Sequence, residues 1–253
     1  MKIVDDILEH NDGGSVVALV SLDISVAFDM VDHNLLLERL SIEFGVTGAA
    51  RDWIASYLRS QSFFIRIGQS SSSICSSNAG VLQGSVLGPV LFTVYVSPID
   101  HLIESFGIEY HDYADDTQLY TALKGDMGPG LDKLSQCIIA LQHWFWINSL
   151  LLNPDKSDVT FYGTRRGLNR VVPINSVTVA GCSISISDRL KILGVTLDAT
   201  LSFDEHIATV VKACNYHLRA LRHIHRCITE DIASIIACSI VGSRIDYCNG
   251  LLF

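Results

Sequence analysis

The chain has 253 residues, 49% of them hydrophobic and 18% charged, which is enough to bury a core in one large domain or two small ones and excludes an intrinsically disordered chain. Its formal charge is −9, with 17 Asp and Glu against 6 Lys and Arg in residues 1–130, and 10 against 12 in residues 131–253. The acidic half would repel a phosphate backbone unless cations are bound there; a metal-dependent site would offset part of that excess, and surface solvation accounts for such carboxylates equally well.

In chain order, the opening segment reads as a helix that breaks at Gly13-Gly14 and leads into a buried strand from Val16 to Leu22. Asp32 can cap a helix carrying Leu35, Leu36 and Leu40, and a second helix holds Trp53, Tyr57 and Leu58. A strand is expected from Phe63 to Ile67. A helix begins near Ser85 and runs through Leu91 toward Ile103, with Pro89 and Pro98 affecting its limits. Glu109 to Thr121 suits a β-hairpin turning at Asp115-Asp116. Leu131, Leu134, Ile138, Leu141 and Phe145 then follow the three-and-four spacing of a helix.

A strand at Val159 to Tyr162, a hairpin turning at Ala180-Gly181 and a strand from Lys191 to Leu197 follow. The last fifth is helical. Ser202-Phe203-Asp204-Glu205 has the capping-box pattern, with Ile207, Val211, Cys214, Leu218 and Leu221 as an apolar stripe. Thr229 can cap a final helix with Ile232, Ile235, Ile236 and Ile240 inside. Strands alternating with helices indicate an α+β fold with a mainly antiparallel sheet, and the change of class near residue 200 marks a boundary there.

The apolar run from Val16 to Val20 stops at Ser21 and Asp23, too short to span a membrane, and Asp5, Asp6 and Glu9 stand where a secretory signal would carry basic residues. The expected location is intracellular, cytoplasmic or nuclear, with no membrane partner. Seven cysteines without a Cys-x-x-Cys pair argue against a zinc module and a disulfide scaffold. They are expected to be buried free thiols with no disulfide partner.

Tyr113-Ala114-Asp115-Asp116 puts two carboxylates side by side at a turn. Adjacent like charges cost free energy unless a cation sits between them, and magnesium favours hard oxygen ligands; turns also favour aspartate for local reasons alone. Asp23 ends an apolar strand and can bring a third carboxylate to face the hairpin. Phosphoryl transfer uses two metals roughly 3.5–4 Å apart, and Asp23 and Asp115 bridging both, with Asp116 assisting, would meet that demand. Asp29 reads as a helix cap or ion-pair partner.

Five segments occur in order: Leu22-Asp23 through His33; Gly80-Val81-Leu82-Gln83-Gly84-Ser85 with Gly88-Pro89; Tyr113-Ala114-Asp115-Asp116; Leu152-Asn153-Pro154-Asp155-Lys156; and Leu193-Gly194-Val195-Thr196-Leu197-Asp198. Together they resemble the reverse transcriptase of non-LTR (LINE-type, jockey-like) retrotransposons. The resemblance implies a right-hand polymerase fold, with palm and partial fingers over residues 1–199 and a helical, thumb-like segment over 200–253. It implies an RNA-directed DNA polymerase that adds deoxynucleoside triphosphates to a DNA primer on an RNA template. The metal would be Mg2+, as two ions, with Mn2+ a possible substitute.

By the same resemblance Asp23, Asp115 and Asp116 match metal ligands, with Ile24 supplying a backbone carbonyl. Phe28 matches the aromatic that stacks under the sugar and excludes a 2′-hydroxyl, where composition alone would read a core ring. Gln83, Gly84 and Ser85 match the loop that positions the templating base and incoming nucleotide. Tyr113 and Ala114 would lie near the primer end, and Leu193 and Gly194 match the hairpin that grips the primer. Lys156 matches a lysine that protonates the leaving pyrophosphate; in isolation it reads as a solvated lysine. Lys212, Arg219 and Arg226 recur at heptad spacing with Arg222 nearby, a stripe that could follow a nucleic-acid backbone or be a solvated helix face.

Leu82 replaces a usual proline, Met30 a common threonine, and Ser149 and Leu151 stand where basic residues are frequent. None of these removes a metal ligand. The family's finger motifs, whose basic residues hold the triphosphate, would precede Met1, so unaided activity is expected to be weak or absent. The alternative is a catalytically inactive remnant or a co-opted nucleic-acid-binding fragment.

Overall fold

The computed structural model describes residues 2–59, 61–171 and 174–251. Helix α1 (Lys2–Asp12) ends at Gly13-Gly14, and strand β1 (Val16–Leu22) follows. A short strand β2 (Ile24–Ser25) and a 3-10 turn (Ala27–Met30) lead to α2 (His33–Ile42). The Asp32 carboxylate accepts from the N–H groups of Asn34 and Leu35, capping α2 as expected. Helix α3 (Gly48–Arg59) packs beside it.

The strand expected from Phe63 to Ile67 is broken. In its place stand β3 (Ser62–Phe63), β4 (Arg66–Ile67), β5 (Ser70–Ser71) and β6 (Cys75–Ser76), nested so that β3 pairs with β6 and β4 with β5. Every residue from Ser62 to Ser76 is exposed, so no buried face fixes a longer register. The helix expected from Ser85 to Ile103 is two, α4 (Gly88–Val96) and α5 (Ile99–Ser105), because Pro98 lacks the N–H that would continue the first.

Strands β7 (Glu109–Tyr113) and β8 (Asp116–Leu123) form the expected hairpin. Its turn is Ala114-Asp115, one residue earlier than the sequence suggested, since Asp116 already pairs with Tyr113. Helix α6 (Gly128–Ile147) buries Leu134, Cys137, Ile138, Leu141 and Phe145. Next come β9 (Leu151–Leu152), β10 (Asp158–Tyr162), the single turn α7 (Arg165–Leu168), and the hairpin of β11 (Ser176–Val179) and β12 (Cys182–Ser187), which turns at Ala180-Gly181. Where one strand was expected from Lys191 to Leu197 there is a hairpin, β13 (Arg189–Ile192) and β14 (Val195–Asp198). Its turn residues Leu193 and Gly194 are both left-handed, φ 46° and 84°, the backbone that a two-residue hairpin loop requires.

Six strands form one sheet in the order β11-β12-β10-β1-β8-β7, antiparallel throughout except for β10 with β12. Strand β1 is central and covered on both faces, which is why it reads as an unbroken apolar run. Val16, Ala18, Val20 and Leu22 join the cluster under α4, α5 and α6. Val17 and Leu19 join a second cluster with Ile3, Val4 and Ile7 of α1 and Leu190, Ile192, Val195 and Leu197 of the β13–β14 hairpin.

Helices α8 (Asp204–Ile224) and α9 (Glu230–Asp246) close the chain and pack on each other. Thr229 caps α9 through the Ile232 N–H. The apolar stripe expected to be inside is mostly outside: Ile207, Val211, Leu218, Ile232 and Ile235 are exposed, while Cys214 is buried. The Ser202 capping box is also replaced. The Asp198 carboxylate accepts from the N–H groups of Thr200, Ser202 and Phe203 and from both neighbouring hydroxyls.

All seven thiols are free, but only Cys137, Cys214 and Cys248 are buried; Cys75, Cys182, Cys227 and Cys238 are exposed, contrary to expectation. Among the described residues no helix is long and apolar enough to cross a membrane.

Candidate active site

Strand register brings the acidic residues together. Leu22 of β1 pairs with Thr117 of β8, so the next residue along β1, Asp23, and the preceding residue along β8, Asp116, emerge at the same end of adjacent strands. Asp115 occupies the turn beside them. Burial raises the Asp116 pKa first, and the charges of Asp115 and Asp23 raise it further. The Asp23 Oδ2 is buried and makes no hydrogen bond. A buried acceptor without a donor, with the charged Asp116 close enough to interact with it, is suited to a hard divalent cation. Among the described residues no three His, Cys, Asp or Glu side chains are drawn closely enough to hold a metal between them, so the carboxylates are neighbours without forming a closed triple.

The Asp23 backbone is clamped from the far side. Its N–H donates to Ser157 Oγ at 3.2 Å and its C=O accepts from the Asn153 N–H at 2.8 Å. Ile24, buried at the side chain, pairs with Leu152. These contacts bring the turn bearing Lys156 against Asp23, with the Lys156 side chain exposed.

Two residues with a Cβ take left-handed backbone here: Val26 at φ 45° and Ala114 at φ 56°. Each such position costs on the order of 1–3 kcal/mol and persists only where surrounding contacts over-determine it. Residue type gives no warning of this at a valine.

Phe28 lies in the 3-10 turn with its ring 5.0 Å from that of Phe92. Its carbonyl accepts from the Val81 N–H at 2.8 Å, and Val31 accepts from Gly80 at 2.8 Å, so the segment bearing Gln83 is stitched to the one bearing Phe28. Only glycine fits at 80, where φ is 91° and a Cβ would lie 2.9 Å from the Asp29 carbonyl oxygen. Gln83 and Gly84 are exposed. The Ser85 hydroxyl is already engaged, donating to the Leu82 carbonyl and accepting from the Gly88 N–H.

Between these segments lies a cavity of about 450 Å³, lined by Asp29, Gln61, Phe63, Gly80 and Gln83 among others. Asp29 faces this cavity instead of capping a helix, and Gln61 Nε2 is buried there without a partner. Sequence reasoning missed Gln61, since a lone glutamine beside a serine-rich stretch carries no signal.

Tyr113 is exposed next to the turn. Leu193 and Gly194 form the tip of the β13–β14 hairpin, on the face of the sheet that the second apolar cluster covers. Lys212, Arg219, Arg222 and Arg226 are all exposed. Arg226 falls in a 3-10 turn (His225–Cys227) beyond the end of α8, so the heptad spacing does not continue on one helix.

The family model described as "Reverse transcriptase (RNA-dependent DNA polymerase)" matches residues 2–197. The RNA-directed DNA polymerase from mobile element jockey of Drosophila melanogaster is 30% identical over 218 residues, which are 84% of this chain and 23% of that protein. A probable RNA-directed DNA polymerase from transposon BS of the same organism is 27% identical, over 87% of this chain and 24% of that one. The chain thus spans about a quarter of the length of the curated relatives it matches.

Among solved structures, apo telomerase from Candida tropicalis truncated from its C-terminal domain superposes with a TM-score of 0.51 at 14% identity, over 80% of this chain and 39% of that one. Telomerase from the same organism in complex with a fragment of telomeric RNA gives 0.53 at 14% identity, over 80% and 32%. At that identity the likeness shows a shared fold.

Proposed function

Because the chain belongs to the reverse transcriptase (RNA-dependent DNA polymerase) family, we propose that it carries the polymerase site of a non-LTR retrotransposon enzyme, extending a DNA primer with deoxynucleoside triphosphates on an RNA template. The observation that supports this most is the β1–β8 register, which sets Asp23 beside Asp116, together with the unpartnered Asp23 Oδ2.

In this reading Asp23, Asp115 and Asp116 would hold two Mg2+ ions, with the Ile24 carbonyl as a further oxygen. Ions held there would supply Lewis acidity, lowering the pKa of the primer hydroxyl and offsetting charge on the leaving pyrophosphate. The residues 1–199 act as palm with partial fingers, and 200–253 as a thumb-like segment. Phe28 stacks under the incoming sugar, its ring braced by Phe92. Gln83 and Gly84, exposed on a loop stitched to the Phe28 segment, align the template base and the nucleotide. Lys156 donates a proton to the leaving group from the turn that clamps Asp23. Tyr113 and Ala114 meet the primer end, and Leu193 and Gly194 hold it. The exposed cations Lys212, Arg219, Arg222 and Arg226 follow the backbone of the duplex. The protein would act inside the cell, where template and nucleotides are found.

Primer extension on poly(rA)/oligo(dT) tests the proposal. Incorporation above background that requires Mg2+, and that Asp115→Asn reduces by at least about a hundredfold, is expected. Incorporation unaffected by Asp115→Asn, or none under any metal condition from a folded protein, would refute it and favour an inactive remnant.

A further inference from the structure

We infer that Tyr247 is a positioning residue for the primer end, anchoring the Leu193–Gly194 turn from the end of α9. The inference rests on the reading of that turn as a primer contact.

Three contacts run from the terminal helical segment to the β13–β14 hairpin, at its base, middle and tip. At the base, Asp198 of β14 accepts the N–H groups that precede α8. In the middle, the buried His206 of α8 accepts the Thr196 N–H on Nδ1 at 3.3 Å. That bond leaves the His206 proton on Nε2, which lies 3.1 Å from the buried Cys248 Sγ, so the ring joins the hairpin to the residue that follows Tyr247. At the tip, the Tyr247 hydroxyl donates to the Leu193 carbonyl at 2.7 Å.

The tip contact differs from ordinary packing. Tyr247 is 67% exposed, so little apolar burial holds it, and its hydroxyl reaches a carbonyl in a turn whose leucine has a left-handed backbone. The ring lies alongside Gly194, where an added Cβ would stand 3.5 Å from it. Behind the turn is a cavity of about 290 Å³ bounded by Gly194, His206, Arg244 and Tyr247. A turn backed by open space is free to shift unless something holds its backbone. The Tyr247 hydroxyl supplies that hold, and the neighbouring helix pair thereby sets where Leu193 and Gly194 meet the primer.

Tyr247→Phe keeps the ring and removes the bond. Fluorescence anisotropy, run without catalysis, compares a primed RNA–DNA template with the same RNA unprimed. Tyr247→Phe should weaken binding of the primed template about fivefold, leaving the unprimed RNA affinity and the melting temperature unchanged. Equal affinities for both ligands in variant and wild type would overturn the inference, as would parallel losses for both ligands with a lowered melting temperature. Gly194→Val, which distorts the turn itself, separates the two levels. If it weakens primed binding while Tyr247→Phe does not, the anchoring role of Tyr247 falls alone. If neither has an effect, the primer-contact reading of the turn falls with it.

Discussion

Asp112 and Asp116 sit four positions apart on one hairpin and answer to different surroundings. Asp112 pairs with Thr117 and Asp116 with Tyr113, and successive pairs in a strand point to opposite faces. Asp112 turns toward α5, where burial first, then the charge of Asp100 and a hydrogen bond with it, push its pKa up to about 6, against a partial offset from Thr117. The raised value means the folded state favours the protonated acid. Its contribution is therefore complete below the ordinary carboxylate range and is lost as pH rises from about 4 to about 6. Asp112→Asn keeps a neutral hydrogen-bonding side chain, so it should raise the melting temperature at pH 7.5 by roughly 2–4 °C and change it little at pH 4. Thermal melts at both pH values check this; a variant less stable at pH 7.5 would contradict it. The Asp115-Asp116 pair was legible from its adjacency, and Asp23 from its place after an apolar strand. The strained backbone at Val26 and Ala114 was not, because it is imposed by contacts with other segments.

Between elements, the decisive bonds are those that residue patterns a few positions long do not contain. Asp32 caps α2 from two and three residues away, which is why that start was readable. The start of α8 was misread because Asp198, at the end of β14, takes the Ser202 N–H that Glu205 would accept in a capping box, while Glu205 pairs with Arg189 and Ser202 Oγ accepts the Asp204 N–H. Burial alone would raise the Asp198 pKa, but bonds from Ser202 and Thr200 outweigh it and bring it down to about 2. Asp198→Ala should cost about 1–2 kcal/mol in urea unfolding and lower the helical signal; an unchanged midpoint would show that α8 needs no such anchor. The stripes of α8 and α9 were misassigned for a related reason. Periodicity identifies an apolar face, but the partner that would cover it is a tertiary fact, and Ile207, Val211 and Ile235 are left exposed here. The exposed hairpins of residues 62–76 fall to the same limit. The stripe of α6 was read correctly because the sheet lies under it.

Across the whole molecule, one sheet carries two apolar clusters, with Asp23 and Asp116 at the end of the sheet where β1 finishes and β8 begins. The acidic excess of residues 1–130 includes all three carboxylates of the proposed site, while the basic residues of α8 and its following turn lie in the other half. In the proposed reading the acidic residues would draw cations and the basic ones phosphates, and bound metal would offset the repulsion between the carboxylates and a nucleic-acid backbone. The most direct measurement is Mn2+ binding, followed by isothermal titration on protein shown to be folded by circular dichroism. Wild type should take up two ions, with Asp23→Asn and Asp116→Asn each losing at least one of them. The same stoichiometry and affinity in all three proteins would mean that these carboxylates hold no metal.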